Sequence, residues 1–351
     1  MSVLRRWQFN DGCSSSIESL EGADRLEKKG AVSMKLCDRV MRAWLAALPL
    51  VATLSIRAEA QQHAHHAAPG AAPDARVSAQ IEAVKQATER YRDHAHAVAD
   101  GYKLFGLEGP LMGEHWYRRD LVRAALDLEK PSTLQYAWVA GQRVLVGVAY
   151  TSYRTREDPL PEGFSGTADV WHVHDVERIA EAVTEGRPLL RWMVQRRAQS
   201  KAAGADGRTQ LTMLHAWVWQ DNPDGVFALE NRALPYLRVG LPAEWAESGD
   251  VTAASGTALL AEGACTRDLR RLHAMARLTD QQKDTLQDEC ARAAGRVAAG
   301  RASATDASTF NRAAGAAWRD YTSARNRTLT AEQVTRVGSF IEHDMSTHQH
   351  R

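Results

Sequence analysis

The sequence predicts an α+β protein with a small antiparallel sheet, a flanking N-terminal helix and a mostly helical C-terminal third. Short β-rich segments bounded by Gly, Pro and Asn turns lie between residues 134 and 220. From about residue 243 to residue 345, apolar residues instead recur at helical spacing. With 351 residues, 44% of them hydrophobic, the chain has enough apolar side chains for a sizeable core.

The elements of the sheet region follow from local patterns. Residues 76–100 have apolar side chains at helical spacing and are followed by Gly101, which is typical of a helix end. The other elements are a glycine-rich loop (106–113), a hairpin (134–139 with 143–153), a loop (158–166), a strand (169–174), a helix (176–184) and a strand (209–220) that ends at an Asn-Pro-Asp-Gly turn.

Residues 34–60 have the pattern of a secretory signal peptide: a basic start, an apolar run and the sequence Ala58-Glu59-Ala60. The apolar run is shorter than the about 20 residues that span a bilayer. We therefore expect a bacterial protein that is exported to the periplasm or secreted, without membrane insertion after cleavage. Residues 1–33 are then a mis-called upstream extension, with the true start at Met34 or Met41.

The mature chain divides into a flexible His/Ala/Pro leader (61–75), an α+β domain (76–242), a helical region packed on it (243–345) and a short tail (346–351). The formal net charge of +1 argues against nucleic acid as a partner, because phosphate binding needs a concentrated basic surface. A metal ion or a small molecule is the expected partner.

Cys265 and Cys290 are the two cysteines left after signal cleavage, and in an oxidising compartment they are a natural disulfide pair. They lie on two predicted helices joined near Thr279, with Gln282 in the capping-box position. An antiparallel helical hairpin brings the two cysteines level. Two free buried thiols are the alternative.

Four histidines are candidate ligands for copper or zinc: His115, His172, His174 and His215. Residues two apart on a strand share a face, so His172 and His174 point the same way. Imidazole nitrogens suit both metals. Glu114 and Asp175 are candidate carboxylates that bind the metal or orient the rings.

Two other functions remain open. The first is a binding module for an apolar or lipid-like molecule, in which a pocket is lined by Trp116, Trp171, Trp217 and Trp219. The second is a metal-assisted hydrolase with Glu114 or Asp175 as the base. Lipase-type, zincin, Walker A and c-type haem motifs are absent, which argues against the commonest hydrolase, zincin, nucleotide-binding and c-type haem functions.

The mature N-terminus is a conditional second metal site. Cleavage after Ala60 leaves Gln61 at the new N-terminus and His63 in the third position. A free amine, two amide nitrogens and an imidazole then form a square-planar set that suits Cu(II) or Ni(II). A solvated linker is the alternative.

Several motifs occur together between residues 76 and 231: Asp100-Gly101-Tyr102, Met112-Gly113-Glu114-His115-Trp116, and His215-Ala-Trp217-Val-Trp219 followed by Asn222-Pro223-Asp-Gly225. In this combination the chain resembles a family of uncharacterised exported bacterial proteins. It departs from that family in its Glu-His-Trp sequence and its long helical C-terminal region. The resemblance implies export and the fold, and it draws attention to His115 and His215.

Overall fold

The fold is seen in a computed structural model, which describes residues 74–122, 126–154, 158, 160–166, 169–175, 180, 184, 187–199, 210–247 and 251–346. The predicted upstream extension, the predicted signal peptide, nearly all of the predicted leader with Gln61 and His63, and most of the helix expected at 176–184 lie outside these residues. The described residues belong to one compact unit.

The described strands form one antiparallel sheet in the order β1-β2-β3-β4-β6-β5. The predicted α+β class and the predicted hairpin of β3 and β4 are confirmed. The strands are β1 (Lys103–Gly109), β2 (Gly113–Tyr117), β3 (Thr133–Val139), β4 (Gln142–Arg154), β5 (Trp171–Asp175) and β6 (Gln210–Ala216).

The first two strands correct the sequence analysis, which expected a glycine-rich loop at 106–113. β1 and β2 form a hairpin with an irregular register between Phe105 and Gly109. Gly113 has a φ of +69°, and a Cβ atom there would lie 2.4 Å from the carbonyl oxygen of Tyr136. A glycine is therefore required where β2 begins beside β3.

The N-terminal helix is present but interrupted. Helix α1 (Ala75–Thr88) continues as a 3₁₀ turn (Glu89–Arg92), and helix α2 (His94–Ala99) follows. The interruption occurs at Asp93, whose side chain accepts a hydrogen bond from the backbone N–H of Ala95 and so begins α2. The predicted end at Gly101 is confirmed by its φ of +89°.

These helices pack on one side of the sheet, which we call the core face. Val77, Val84 and Tyr91 from the helical segment lie in one buried cluster with side chains from four strands. Those strand residues are Leu134, Tyr136, Leu145, Val148, Tyr150, Trp171, Leu214 and Ala216.

The described residues from 251 onward are mainly helical, as expected for the C-terminal region, and two further helices that were not predicted lie at 188–199 and 234–238. The helices are α3 (Pro188–Gln199), α4 (Leu234–Arg238), α5 (Val251–Ala258), α6 (Ala264–Ala276), α7 (Asp280–Ser303), α8 (Ala307–Thr328) and α9 (Ala331–Ser346). No helix among the described residues is both long and apolar enough to cross a membrane.

The hairpin of α6 and α7 forms as predicted. Thr279 and Gln282 make the reciprocal hydrogen bonds of a capping box at the start of α7. Cys265 and Cys290 are joined by a disulfide, with their Cα atoms 5.7 Å apart. In the chain-entropy model, closing this loop stabilises the fold by about 3 kcal/mol.

Candidate functional site

The side of the sheet opposite the core face carries polar side chains, and we call it the polar face. Because successive residues of a strand alternate between faces, the strand pairing identifies which side chains share it. It contains His115 of β2, Thr133 and Gln135 of β3, Thr151 of β4, His172 of β5, and Met213 and His215 of β6.

The rings of His115 and His215 meet on this face although their strands are separated by β3 and β4. Their Nε2 atoms are 3.4 Å apart. On β4, Ala149 pairs directly with His215, and Gly147 pairs with Gln135, which in turn pairs with His115. Because Gly147 carries only a hydrogen atom and Ala149 only a methyl group, the two imidazoles have room to approach each other above β4.

Met213 brings a sulfur atom to the same point. Its Sδ atom lies 3.2 Å from Nε2 of His215. Residues 213 and 215 are two apart on β6, so both side chains project from the polar face. Three heteroatoms with lone pairs, two nitrogens and one sulfur, are therefore close neighbours.

The tautomer of His215 follows from its second ring nitrogen. Nδ1 lies 2.7 Å from the backbone carbonyl oxygen of Leu229. A carbonyl oxygen can only accept, so Nδ1 carries the hydrogen and donates it. In the neutral ring Nε2 then holds a lone pair, directed at His115 and Met213. Metal-binding histidines are commonly oriented by such a carbonyl contact.

His172 is the third imidazole that the fold brings to this cluster. Its ring packs edge-on against that of His215, with centroids 4.8 Å apart. The backbone of His174 pairs with Leu211, and that of Asp175 pairs with Gln210. The side chains of His174 and Asp175 lie outside the described part of the structure.

Access to the cluster differs among its members. His172 and His215 are each 1% exposed, and Met213 is 8% exposed. His115 is only partly buried. An ion or small solute therefore reaches the cluster most readily from the His115 side, at β2.

The polar face also contains buried groups whose hydrogen-bonding capacity is not used within the described residues. Gln135 is fully buried, and neither its Oε1 nor its Nε2 has a partner there. The hydroxyl oxygens of Thr133 and Thr151 are also buried without a hydrogen-bond partner in the described residues. Such groups are uncommon in folded proteins and often mark functional sites. Gln135 is the direct cross-strand neighbour of His115.

Glu114 does not orient the imidazoles, which corrects the expected role of this residue. It lies on the opposite face from His115 and accepts hydrogen bonds from Arg143 at 2.8 Å and from the indoles of Trp116 and Trp138. Burial alone would raise the pKa of Glu114, but these hydrogen bonds outweigh it and hold the pKa below its ordinary value. Its carboxylate is therefore held by Arg143 and the two indoles on the other side of the sheet from the imidazoles.

The four tryptophans expected to line a common pocket are instead packing residues: three of them pack in or against the core-face cluster, and Trp217 packs elsewhere. Trp171 is buried in the core-face cluster, and Trp116 packs against that cluster. Trp217 packs with Leu234 in a separate cluster. Trp219 also packs on the core-face cluster, and its indole donates to Thr88. β6 ends at Ala216, so Trp217 and Trp219 lie beyond the strand that was expected to continue to residue 220.

Within the described residues, no group of three or more His, Cys, Asp or Glu side chains is arranged to hold a metal ion. The predicted four-histidine metal site therefore stays a prediction. Met213 and Gln135 were not among the site residues predicted from the sequence. The i, i+2 relation of Met213 to His215 was a usable signal for the first of them.

The comparisons with known proteins give no match: no protein-family model fits the sequence, and neither a curated protein nor a solved structure is significantly similar to it. The resemblance to exported bacterial proteins also stays a prediction. Any function must therefore be argued from the site itself.

Proposed function

We propose that this protein is an exported bacterial copper-binding protein, in which His115, His215 and Met213 hold the ion. The observation that carries this proposal is that Nε2 of His115 and Sδ of Met213 both lie close to Nε2 of His215 on the polar face. Metal binding would replace these contacts by three coordination bonds.

The spacing of the two nitrogens suits a shared ion. Nitrogen ligands lie about 2.0 Å from zinc or copper, and two such ligands at a tetrahedral angle are about 3.3 Å apart. The Nε2 atoms of His115 and His215 are 3.4 Å apart. The hydrogen bond from Nδ1 of His215 to the carbonyl of Leu229 fixes that ring in the orientation a ligand needs.

The sulfur atom favours copper over zinc. Structural and catalytic zinc sites use Cys, His and carboxylate ligands, whereas thioethers are soft ligands that select Cu(I). Met213 is therefore the residue that favours copper over zinc at this site. His172, packed against His215, is the nearest further imidazole.

Export is supported by two features. Residues 34–60 have a signal-peptide pattern, and Cys265 and Cys290 form a disulfide, a bond that persists in oxidising compartments. We place the protein in the periplasm or outside the cell. There, the partly exposed His115 provides the side from which the ion enters and leaves the cluster.

The test is a competition titration of the secreted protein with Cu(I) against a chromophoric chelator. His63, His65 and His66 are first replaced by Ala, so that the leader cannot bind copper. In this background we expect one Cu(I) per chain, with affinity reduced at least about tenfold by His115→Ala, His215→Ala or Met213→Leu. His96→Ala is the matched control, because His96 is exposed on α2.

Two results would contradict the proposal. The first is absence of stoichiometric Cu(I) binding by the folded protein. The second is that the His215→Ala and Met213→Leu variants bind Cu(I) with the same affinity as the His96→Ala control. Zinc titrated in parallel should bind more weakly and should be insensitive to Met213→Leu.

A further inference from the structure

A second site is formed by a cavity of about 350 Å³ that lies between the β1–β2 turn and helices α5, α6 and α8. Its volume is within the range of small-molecule sites, roughly 300–1,000 Å³. None of the tryptophans predicted from the sequence to line a pocket borders it. The cavity is also distinct from the cluster of His115, His215 and Met213.

One part of the cavity wall is apolar. Leu111 at the β1–β2 turn, Leu259 after α5, and Leu272 on α6 are buried residues that line it. Met275 and Trp318 also line the cavity. Apolar surface of this kind gains free energy when it is covered by a hydrocarbon group in place of water.

Another part of the wall is cationic. Arg238 and Arg267 both lie beside Glu108 and share this one carboxylate. Burial lowers the pKa of the Arg267 guanidinium, and the neighbouring charge of Arg238 lowers it further. Positive charge is therefore concentrated on this side of the cavity.

Arg271 and Arg325 supply the remaining positive charge. Both line the cavity and are partly buried, and within the described residues neither forms an ion pair. Three carboxylates also line the cavity, those of Glu108, Glu230 and Asp268. Four guanidinium groups against three carboxylates leave one positive charge to be balanced, which favours a monoanion over a doubly charged phosphate.

We propose that this cavity binds an amphipathic monoanion, a carboxylate that carries an apolar chain. The carboxylate pairs with Arg271 and Arg325, since arginine forms charge-assisted hydrogen bonds with this group. The chain covers the wall formed by Leu111, Leu259, Leu272 and Trp318. This site is independent of copper binding and does not rest on it.

The test is isothermal titration calorimetry of the full secreted protein with decanoate. The double variant Arg271→Gln/Arg325→Gln is expected to bind decanoate at least about tenfold more weakly, the loss expected for a charge-assisted contact. The control is Arg270→Gln/Arg327→Gln, which removes the same charge from two exposed positions outside the cavity. Decan-1-ol has the apolar chain without the carboxylate, and acetate has the carboxylate without the chain. Comparing their affinities with that of decanoate measures the contribution of each part.

We expect the control variant to bind as the unchanged protein does, and both partial ligands to bind weakly. The proposal is overturned if decanoate does not bind, if both double variants lose affinity equally, or if decan-1-ol binds as tightly as decanoate. Cu(I) affinity, measured on the same Arg271→Gln/Arg325→Gln protein, should be unchanged. The two proposed sites can therefore fail separately.

Discussion

The two faces of the sheet are built from the same strands but use their side chains differently. On the core face, tyrosines pack in an apolar cluster and donate to backbone carbonyls, as Tyr136 does to Tyr91 at 2.6 Å and Tyr150 does to Leu128 at 2.6 Å. On the polar face, Gln135 is buried without such partners in the described residues. The first arrangement stabilises the fold, whereas the second is costly unless something is bound.

Neighbouring residues of β6 show the division most clearly. Leu214 is fully buried in the core-face cluster, and His215 beside it contacts His115 and Met213. The two side chains lie in different environments only because successive residues of a strand point to opposite faces of the sheet. Substitutions at adjacent positions should therefore affect different properties of the protein, and this gives direct ways to test the comparison.

The largest expected effect is that of Leu214→Ala. Removing a fully buried leucine side chain should lower the free energy of unfolding by about 3 kcal/mol, because it leaves a cavity. Cu(I) affinity should be retained in the folded variant. Urea denaturation and the chelator titration measure these two quantities. If folded Leu214→Ala loses copper as His215→Ala does, the two faces are not functionally separate.

Glu114→Gln should have the next largest effect, since it weakens a buried contact with Arg143. We expect a loss of about 2 kcal/mol at neutral pH, the scale of a hydrogen bond to a charged group. The pKa of Glu114 is held below its ordinary value, so its ionisation stabilises the fold above about pH 4.3. That contribution is lost as the pH falls through the lower, folded-state pKa.

The measurement for this prediction is urea denaturation of the unchanged protein and Glu114→Gln at several pH values. The difference in stability should shrink as the pH falls below about 4. Glu82→Gln, at an exposed position of α1, is the control and should show little difference at any pH. If the difference in free energy of unfolding between the two proteins stayed constant with pH, the role assigned to the ionised carboxylate would be contradicted.

Tyr136→Phe is expected to have a smaller effect on the core face. It removes the hydroxyl that donates to the carbonyl of Tyr91 and leaves that carbonyl without this partner. The free energy of unfolding should fall by about 1 kcal/mol, with Cu(I) affinity unchanged. Thermal unfolding followed by circular dichroism measures the change. An unaltered midpoint would show that this hydrogen bond does not contribute net stability.

Gln135→Leu should have the smallest effect, and its sign should be opposite. An apolar side chain of similar size removes two buried polar atoms that lack partners in the described residues, so stability should stay equal or rise by up to about 1 kcal/mol. Urea denaturation of the copper-free protein tests this. A clear destabilisation would mean that Gln135 belongs to the stabilising part of the sheet, as the core-face residues do.

Much of the fold was accessible from local sequence patterns. The β3–β4 hairpin has a strong apolar pattern around a turn, and both of its strands were placed within a few residues. The capping box at Thr279 and the pairing of Cys265 with Cys290 depend on fixed spacings along adjacent helices. Such features are determined by neighbours in the chain and can be read without the tertiary structure.

The parts that were missed depend on distant contacts. β1 lies at the edge of the sheet, with Leu104 and Phe105 exposed, so its sequence lacks a buried face. Because β2 was not recognised as a strand, Glu114 was assigned to the same site as His115. The meeting of His115 with His215 crosses two intervening strands, and no sequence pattern specifies it.

The most direct test of the copper proposal is X-ray absorption spectroscopy at the copper edge of the Cu(I)-loaded protein. We predict two nitrogen scatterers at about 2.0 Å and one sulfur scatterer at about 2.3 Å. Met213→Leu should remove the sulfur contribution and leave the nitrogens. A spectrum without sulfur in the unchanged protein, or an identical spectrum from Met213→Leu, would contradict the assignment of copper to the polar face.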